Sequence, residues 1–195
     1  MTSDKIDRMG RWEPDAAGRL REAAMALYAE RGYDGTTVAE IADRAGVTAR
    51  TFFRHFADKR EVLFAGSEQL ERHMVEALAA APADASPMEA VTAAVLATAE
   101  FFDDIRRDYS RRRAAVITST PELRERELIK MATLTTSLTD GLLERGVAPD
   151  VAALAAETGV AVFRVSFERW IAAPDDVPIA DVIQATLKTL AGLTA

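Results

Sequence analysis

The stretch with the most distinctive chemistry is TARTFFRHF, residues 48–56, which combines two arginines and a histidine with three phenylalanines. The chain as a whole is nevertheless acidic, with a formal net charge of -7. Guanidinium groups bind phosphates and pair bidentately with guanine, so these residue types indicate a surface for nucleic acid. The alternative is an ordinary amphipathic helix whose arginines are solvated.

No other group of residues suggests catalysis. The 195-residue chain has no cysteine and only two histidines, His55 and His73, which excludes thiolate nucleophiles, disulfides and thiolate metal sites. It has no glycine-rich loop that would cradle a phosphate, and its carboxylates are scattered along helical patterns. We therefore predict a protein that is not an enzyme and needs no metal or cofactor.

The charge is divided unevenly along the chain. Residues 1–60 contain 11 Lys and Arg against 10 Asp and Glu, so the remaining residues carry a balance of -8. An acidic remainder is repelled by a polyanion, whereas a nearly neutral segment can still present a basic face. The distribution therefore favours a protein that approaches DNA from one end.

The composition predicts a cytoplasmic protein without a membrane partner. Hydrophobic residues make up 49% of the chain and charged residues 28%, as in soluble globular proteins. No apolar run approaches the roughly 20 residues that span a bilayer. The opening MTSDKIDRMGRWEPD lacks the apolar core of a secretory signal.

Two short helices are predicted around the arginine-rich stretch. Thr37 and Glu40 have the spacing of a capping box, and Gly46 ends the helix that they open. Thr48 then caps a second short helix over residues 49–55. Two short helices joined by a glycine turn form a helix-turn-helix pattern.

A longer helix is predicted on each side of this pair. Apolar residues recur with a helical period over residues 16–31, and Gly32 follows as a stop signal. After the pair, Asp58 and Glu61 have the spacing of a cap for a third, long helix that runs to about Ala81. Because no strand-like alternation occurs anywhere, the predicted fold class is all-α.

Periodicity separates two faces of the helix over residues 49–55. At about 100° per residue, Phe52 and Phe56 fall on one face and are predicted to be buried. Arg50, Phe53 and Arg54 fall on the opposite arc and are predicted to be exposed. A helix that presents arginine from its first turn suits the major groove of DNA.

Residues 32–64, GYDGTTVAEIADRAGVTARTFFRHFADKREVLF, resemble the DNA-binding domain of TetR-family transcriptional repressors. The shared pattern is Thr-Val-x-x-Ile-Ala-x-x-Ala-Gly-Val, then an aromatic-rich recognition helix, then a lysine that opens the fourth helix. The resemblance implies a nine-helix architecture, in which a three-helix DNA-binding domain is joined through helix 4 to a larger domain for ligand binding and dimerisation. It also implies a homodimer that binds a palindromic operator in double-stranded DNA and releases it when a small molecule binds.

The resemblance implies three segments. Residues 1–13 are a flexible arm, residues 14–60 are the helix-turn-helix domain, and residues 61–195 are the ligand-binding and dimerisation domain. Basic residues of the arm suit a minor groove, whereas the acidic residues between them favour a frayed terminus.

The resemblance also assigns DNA contacts residue by residue. Thr37 and Lys59 match positions that grip phosphates at helix starts, and His55 matches a backbone contact or, alternatively, packs beneath the motif. The family usually has Tyr where this chain has Phe53, so we expect Phe53 to touch a thymine methyl or a sugar instead. The predicted DNA-binding residues are Thr37, Thr48, Ala49, Arg50, Thr51, Phe53, Arg54, His55 and Lys59.

Five further helices are predicted beyond APADASP, residues 81–87. Their turns contain proline and cap residues, and prolines favour the first position of a helix. The predicted ranges are residues 87–107, 109–118, 121–145, 149–172 and 178–193.

The last two predicted helices carry a signal for a partner helix. The helix from residue 149 has one stripe of small residues, which let another backbone approach closely, and one stripe of large residues. Both helices resemble the pair that forms the four-helix dimer interface in the family; the alternative is that both stripes are buried within one subunit. The predicted interface consists of Ala152, Ala155, Gly159, Val162 and Ser166 with Ile179, Val182, Ile183, Thr186 and Leu190.

An apolar effector pocket is predicted between the fourth and eighth helices, although each of its residues alone also fits plain core. Methionines and aromatic residues suit lipophilic ligands, and the chain is similar to family members that sense fatty-acyl or other lipophilic compounds. The run of arginines over 111–113 is predicted to be solvated. The predicted lining is Met74, Leu78, Val95, Phe102, Ile117, Met131, Leu134, Leu138, Phe163 and Phe167, with Arg106, Thr118, Thr120 and Arg164 as polar additions.

A helical protein-interaction adaptor without effector binding is the alternative function. An apolar interface stripe and an acidic surface would also suit a protein partner. Binding to DNA separates the two functions.

Overall fold

The computed structural model describes residues 15–102 and 104–194, apart from the side chains of residues 104–106 and 194. The predicted arm over residues 1–13 lies outside the described residues. Nine α-helices and no strand occur in the described part of the chain, which confirms the all-α prediction. The chain divides after Phe64 into two compact units, which are described separately below.

The first unit is a three-helix domain built on the predicted pattern. Leu20, Ile41 and Phe52 of its three helices have no exposed surface and meet in one core. Burying a side chain of this size stabilises the fold by about 1.5–3 kcal/mol. Its elements are α1 (Ala16–Arg31), α2 (Val38–Arg44), α3 (Ala49–His55) and a 3-10 turn (Glu61–Phe64).

The turn between α2 and α3 depends on Gly46. This residue has a φ of 68°, in the left-handed region where a side chain is strained. The amide of Val47 donates to the carbonyl of Ala42 at 2.9 Å, and the amide of Gly46 donates to that of Asp43 at 3.0 Å. These two bonds form a Schellman motif, which ends α2 and fixes the direction in which α3 begins.

The long helix predicted from Asp58 is interrupted, which corrects the prediction from sequence. Asp58 does accept a hydrogen bond from the amide of Glu61 at 3.0 Å, but only the 3-10 turn follows. Its residues Val62, Leu63 and Phe64 are all buried, and one face of an α-helix cannot bury three consecutive side chains. Gly66, with a φ of 92°, then precedes α4.

The second unit contains six helices. Their bounds agree with the predicted ranges for the last three helices to within a residue. Proline occupies the first turn of α5, α7 and α8, where its missing amide costs no hydrogen bond. The helices are α4 (Ser67–Ala80), α5 (Pro87–Ala97), α6 (Asp104–Ser119), α7 (Pro121–Glu144), α8 (Pro149–Ala172) and α9 (Ile179–Thr194).

Helix α8 is the centre of the second unit, because α5, α7 and α9 all pack around it. The fully buried side chains of Met74, Val95, Leu138 and Trp170 belong to one continuous core. At the edge of this core, Arg145 donates to the carbonyls of Ala81 at 3.0 Å and Pro82 at 2.6 Å, just beyond the end of α4.

The helix predicted over residues 87–107 is broken, and α6 begins earlier than predicted. Thr98 is fully buried, and its hydroxyl donates to the carbonyl of Val95 at 2.7 Å in a 3-10 turn that ends α5. Phe102 then leaves the helix to pack against Phe163, with ring centroids 6.2 Å apart. The break therefore results from burial of Thr98 and from packing of Phe102 against the core.

Candidate nucleic-acid interface

Helix α3 is positioned by its cap and by two buried rings. Thr48 accepts a hydrogen bond from the amide of Thr51 at 3.2 Å. Phe52 and Phe56 point inward as predicted, and their ring centroids lie 5.6 Å apart. These contacts hold one face of the short helix in the core, so the opposite face is displayed in a fixed orientation.

The displayed face of α3 contains the predicted basic and aromatic residues. Arg50, Phe53, Arg54 and His55 are all exposed, together with Ala49 near the helix start. The exposure of His55 excludes the alternative that it packs beneath the motif. Its Nε2 lies 3.5 Å from Nη2 of Arg54, so both side chains stand at the same end of the helix.

Ion pairs distinguish Arg50 from its neighbours. Arg31 pairs with Glu40 at 2.9 Å, and Arg44 pairs with both carboxylate oxygens of Glu30 at 2.6 and 2.7 Å. The hydrogen bond from Arg44 lowers the pKa of the Glu30 carboxyl. Within the described residues, no carboxylate lies within 4.0 Å of the guanidinium of Arg50, which leaves its charge available to a ligand.

Thr37 is the cap of α2, and its polar groups are occupied by the chain itself. Its amide and hydroxyl donate to Oε2 of Glu40 at 2.9 and 2.8 Å. Both bonds lower the pKa of the Glu40 carboxyl, and the bond from the amide has the larger effect. A phosphate at this helix start would have to displace a carboxylate that is already bound there.

Lys59 has a structural role that the sequence reasoning missed. Its ammonium donates to the carbonyls of Tyr33 at 2.8 Å and Thr36 at 2.9 Å, and it lies 4.2 Å from the centre of the Tyr33 ring. The hydroxyl of Tyr28 donates to the carbonyl of Lys59 at 2.6 Å. Lys59 therefore ties the segment between α1 and α2 to the segment after α3, and two of its three protons are used within the protein.

The residues predicted to line an effector pocket lie in the core of the second unit. Seven are buried, and Phe102, Met131 and Phe167 are partly buried against the same core. Thr120 is buried, Thr118 and Arg164 are exposed, and the side chain of Arg106 lies outside the described residues. The seven buried residues are Met74, Leu78, Val95, Ile117, Leu134, Leu138 and Phe163.

Two open grooves on the second unit are lined by other residues. One lies between α6 and α8 and includes Ala114, Thr118 and Ile171. The other lies between α4 and α7 and carries the carboxylates of Glu71, Glu76, Asp140 and Glu144. Neither groove contains any of the ten apolar residues predicted to bind an effector.

An aromatic cluster occupies the position where α6 begins beside α8. Phe102 packs against Phe167 and Trp170, with ring centroids 5.3 and 5.7 Å apart. Two buried polar atoms of α8, Oγ of Ser166 and Nε1 of Trp170, have no hydrogen-bond partner in the described part of the chain. Buried polar groups normally find partners, so these two atoms are candidates for hydrogen bonds to a ligand or to water.

The prediction of a solvated arginine run in α6 holds for Arg112, which is exposed, but not for Arg111 and Arg113, which are partly buried. Arg111 donates to the carbonyls of Ile171 and Ala173, both at 2.6 Å, and pairs with Asp175 at 2.7 Å. Arg113 pairs with Glu127 at 2.9 Å.

Arg107, one turn before Arg111, was also missed from the sequence. Its guanidinium is buried, donates to the carbonyls of Pro174 and Val177, and lies 4.7 Å from the centre of the Trp170 ring. The sequence does contain a signal for this shared role. Arg107 and Arg111 are four residues apart on α6, which places both side chains on one helix face.

The small-residue stripe of α8 faces the interior of its own subunit, which corrects the predicted interface. A Cβ built at Gly159 would lie 2.1 Å from Cγ1 of Val91 in α5. The small residues therefore let α5 approach closely. The stripe of large residues is also internal, because helices surround α8. Its members Val160, Phe163 and Trp170 are buried, and Phe167 is partly buried. The buried small-residue stripe comprises Ala152, Ala155, Gly159, Val162 and Ser166.

Four of the five residues of α9 that were predicted to form the interface are likewise buried within the subunit. Ile179, Val182, Ile183 and Thr186 are buried, and Leu190 is partly exposed. Thr186 accepts a hydrogen bond from Arg169 of α8 at 3.0 Å.

A different face of α8 is exposed and largely apolar. Val151, Leu154, Thr158, Ala161 and Val165 follow one another at alternating spacings of three and four residues, which places them on one stripe. All are exposed except Thr158, which is half-buried, and Leu154 is 71% exposed.

The neighbouring helix α9 displays Ala185, Thr189 and Gly192 at the same kind of spacing.

In the described residues no group of three side chains is suited to hold a metal ion, and no helix is long and apolar enough to cross a bilayer.

Family models match both units. Residues 20–65 match the model described as bacterial regulatory proteins, tetR family, and residues 85–194 match that of the MftR C-terminal domain. Because the second match alone spans more than half of the chain, the chain belongs to the TetR family of bacterial transcriptional regulators. The family consists of DNA-binding regulators, not enzymes, as the sequence predicts.

The relatives TcmR and KstR2 match over part of the chain. The transcriptional regulator TcmR of Streptomyces glaucescens is 38% identical over 76 residues, which are 39% of this chain and 34% of TcmR. The repressor KstR2 of Mycobacterium tuberculosis is 41% identical over 58 residues, 30% of this chain and 29% of KstR2. The chain thus spans about a third of the length of these relatives.

The fold is shared over nearly the whole chain with solved regulators. The regulator FadR of Bacillus subtilis, solved in complex with stearoyl-CoA, has a TM-score of 0.58 and 20% identity over 89% of this chain and 96% of FadR. At this level of identity the comparison establishes the fold alone.

Proposed function

We propose that the chain is a repressor that binds a palindromic operator as a homodimer and is released from DNA by a small lipophilic effector. The observation that carries DNA reading is the face of α3, where Arg50 is exposed and free of carboxylates while Arg31 and Arg44 are paired. An arginine of this kind suits guanine in the major groove, where it pairs bidentately. The other predicted DNA-binding residues of α3 and its cap are Thr48, Ala49, Thr51, Phe53, Arg54 and His55.

The proposed dimer interface is the exposed face of α8 and α9. The stripe from Val151 to Val165 leaves several apolar side chains in water, which is costly unless another surface covers them. The small residues Ala185 and Gly192 of α9 would let a partner helix approach closely. A two-fold symmetric homodimer contains two copies of α3, one for each half of a palindrome.

The proposed effector site is the aromatic cluster of Phe102, Phe163, Phe167 and Trp170. Its rings suit a lipophilic ligand, and the unpartnered Ser166 hydroxyl and Trp170 indole N–H would bind a carbonyl of that ligand. The acyl-CoA in the FadR complex is a ligand of this class. Tenfold release of operator requires that the ligand favour the released state by about 1.4 kcal/mol.

Binding to duplex DNA tests the proposed function. The full chain is mixed with random duplexes, bound molecules are selected over several rounds, and the affinity for the selected sequence is measured by fluorescence anisotropy. We expect a palindromic consensus and an affinity at least about a thousandfold above that for random DNA. Absence of any selected sequence would favour the alternative, a helical protein-interaction adaptor.

The effector site is tested with tryptophan fluorescence. Replacing Trp12 with Phe leaves Trp170 as the only tryptophan of the chain. Titration with stearoyl-CoA should change its emission and release the selected operator over the same concentration range, and Ser166→Ala should weaken both effects. If operator is released without a change in Trp170 emission, the effector binds elsewhere.

A further inference from the structure

Phe53 is the exposed large hydrophobic side chain of the DNA-binding unit. Its exposed fraction is 59%, and the other exposed large hydrophobic residues of the described chain all lie at or beyond Leu128. Most phenylalanine side chains are buried. A single exposed ring beside two exposed arginines is suited to contact an apolar group of a charged ligand.

The ring of Phe53 is held in place. It meets the fully buried ring of Phe52 edge to face, with centroids 5.5 Å apart and an angle of 81° between the planes. An edge-to-face pair of this kind is a favourable arrangement of aromatic rings. The exposed ring therefore has a fixed partner on the protein side and its remaining surface directed away from the core.

The position of Phe53 relative to Arg50 places an apolar contact beside a guanine contact. The two residues are three positions apart on α3 and share its exposed arc. Three residues raise a helix by about 4.5 Å, close to the rise of about 3.4 Å between successive bases. A base read by Phe53 would thus lie next to, or one step beyond, the base read by Arg50.

We infer that Phe53 determines operator specificity by contacting the C5-methyl group of a thymine in each half-site. Thymine is the only base that presents a methyl group in the major groove, and an apolar side chain is the group that recognises it. Phe53 has no polar atom that could bind a phosphate or a base edge. This inference rests on the proposed DNA-binding function of the same helix.

Deoxyuridine provides a direct test, because it differs from thymidine only by the missing methyl group. Each thymine of the selected operator is replaced in turn by uracil, symmetrically in both half-sites, and the affinity of the full chain is measured at one fixed salt concentration. Loss of a buried methyl corresponds to about fourfold in affinity per half-site. We expect at least one symmetric pair of positions to show this loss, and the Phe53 variants identify the pair that depends on Phe53.

Two variants connect the effect to Phe53. Phe53→Ala should bind the thymine and uracil operators equally at the sensitive position, whereas Phe53→Leu should keep part of the difference because it retains an apolar side chain. Since the side chain is exposed, both variants should retain the wild-type circular dichroism spectrum.

The outcomes separate this inference from the proposed function. If the wild-type chain selects no DNA sequence, the proposed function fails. If it selects an operator but no uracil position weakens binding, or if Phe53→Ala keeps the full uracil effect, the thymine contact is overturned while DNA binding stands. The inference is also overturned if Phe53→Ala weakens binding to the thymine operator and to the uracil operator by the same factor relative to the wild type. That result would indicate that the ring packs on a sugar.

Discussion

The Nε of Arg111 in α6 donates a hydrogen bond of 2.6 Å to the main-chain carbonyl of Ile171 in α8. Together with its bonds to Ala173 and Asp175, this side chain holds the end of α8 and the beginning of the loop before α9. Carbonyls at a helix end have no partner within the helix, so an arginine is well suited to satisfy them. We refer to Arg107 and Arg111 together as the arginine clamp.

The arginine clamp should contribute measurably to stability. Arg111→Ala removes three hydrogen bonds that are partly exposed to solvent, so we expect a loss of about 1–2 kcal/mol in the free energy of unfolding. The matched control is Arg112→Ala, which removes an ion pair to Asp108 on the helix surface and should cost less than about 0.5 kcal/mol. Urea unfolding followed by circular dichroism measures both, and equal losses would mean that the clamp contributes nothing particular.

Replacing Lys59 distinguishes an internal cross-link from a phosphate contact. Lys59→Met removes the bonds to Tyr33 and Thr36 and should lower the unfolding free energy by about 1–3 kcal/mol. Lys130→Met is the control, because Lys130 makes no hydrogen bond or ion pair within the described residues.

The salt dependence of DNA binding completes this comparison. If Lys59 acts only as a cross-link, the slope of log affinity against log salt is the same in the Lys59→Met variant and the wild type. A slope that falls by about one would show a lost phosphate contact instead.

The proposed dimer interface should be sensitive at Leu154. Leu154→Glu places a charge in the middle of the exposed stripe of α8, so we expect monomers at micromolar concentration in sedimentation velocity experiments. Leu128→Glu is the control, because Leu128 is 67% exposed on α7, outside the proposed interface. Dimers that survive Leu154→Glu would contradict this face.

Substitution of Gly159 should affect folding, not assembly. A Cβ at this position meets Val91, so Gly159→Ala should lower the unfolding free energy by about 1–3 kcal/mol. Gly141→Ala is the control and should cost less, since a Cβ at that position would lie 3.2 Å from the flexible end of the Leu78 side chain, outside the proposed interface. If Gly159→Ala produced monomers without lowering the unfolding free energy, the result would support the interface predicted from sequence.

Acid should weaken the two capping boxes. The hydroxyl of Ser86 and then its amide lower the pKa of the Glu89 carboxyl, and Thr37 acts similarly on Glu40. A carboxyl whose pKa is lowered by folding stabilises the protein above its unfolded value of about 4.3, and this contribution is lost as the pH falls through the folded pKa.

Variants that cannot titrate identify these carboxyls. Glu89→Gln keeps a side chain that can complete a capping box, so the variant should lose less stability than the wild type between about pH 5 and pH 3. Glu68→Gln is the control, because Glu68 makes no hydrogen bond among the described residues. An identical acid profile for Glu89→Gln and the wild type would rule out the capping contribution.

The sequence predicted those parts of the fold that depend on neighbouring residues. The caps at Thr37 and Thr48 and the turn at Gly46 act within a few positions, so α2 and α3 begin and end as predicted. The exposed arc of α3 also follows from its period, because only one side of this helix is covered.

The parts that the sequence did not predict depend on distant contacts. The break after Ala97 accompanies burial of Thr98 and packing of Phe102 against Phe163 and Phe167 of α8. Both stripes of α8 are internal because α5, α7 and α9 surround it, and local periodicity contains no information about the number of neighbours. The sequence does not reveal the structural roles of Lys59 and Arg111, because their carbonyl partners lie 23 or more residues away in sequence.

In the proposed function, the exposed face of α3 reads bases through Arg50. This role is tested by measuring the affinity of Arg50→Ala for the selected operator and for random duplex DNA, with Arg44→Ala as the control because Arg44 is paired with Glu30. We expect Arg50→Ala to lose about 1–3 kcal/mol of operator affinity and to relax the preference at one base pair per half-site, with little change on random DNA. Equal weakening of both DNAs, or no weakening of either, would contradict base reading by Arg50.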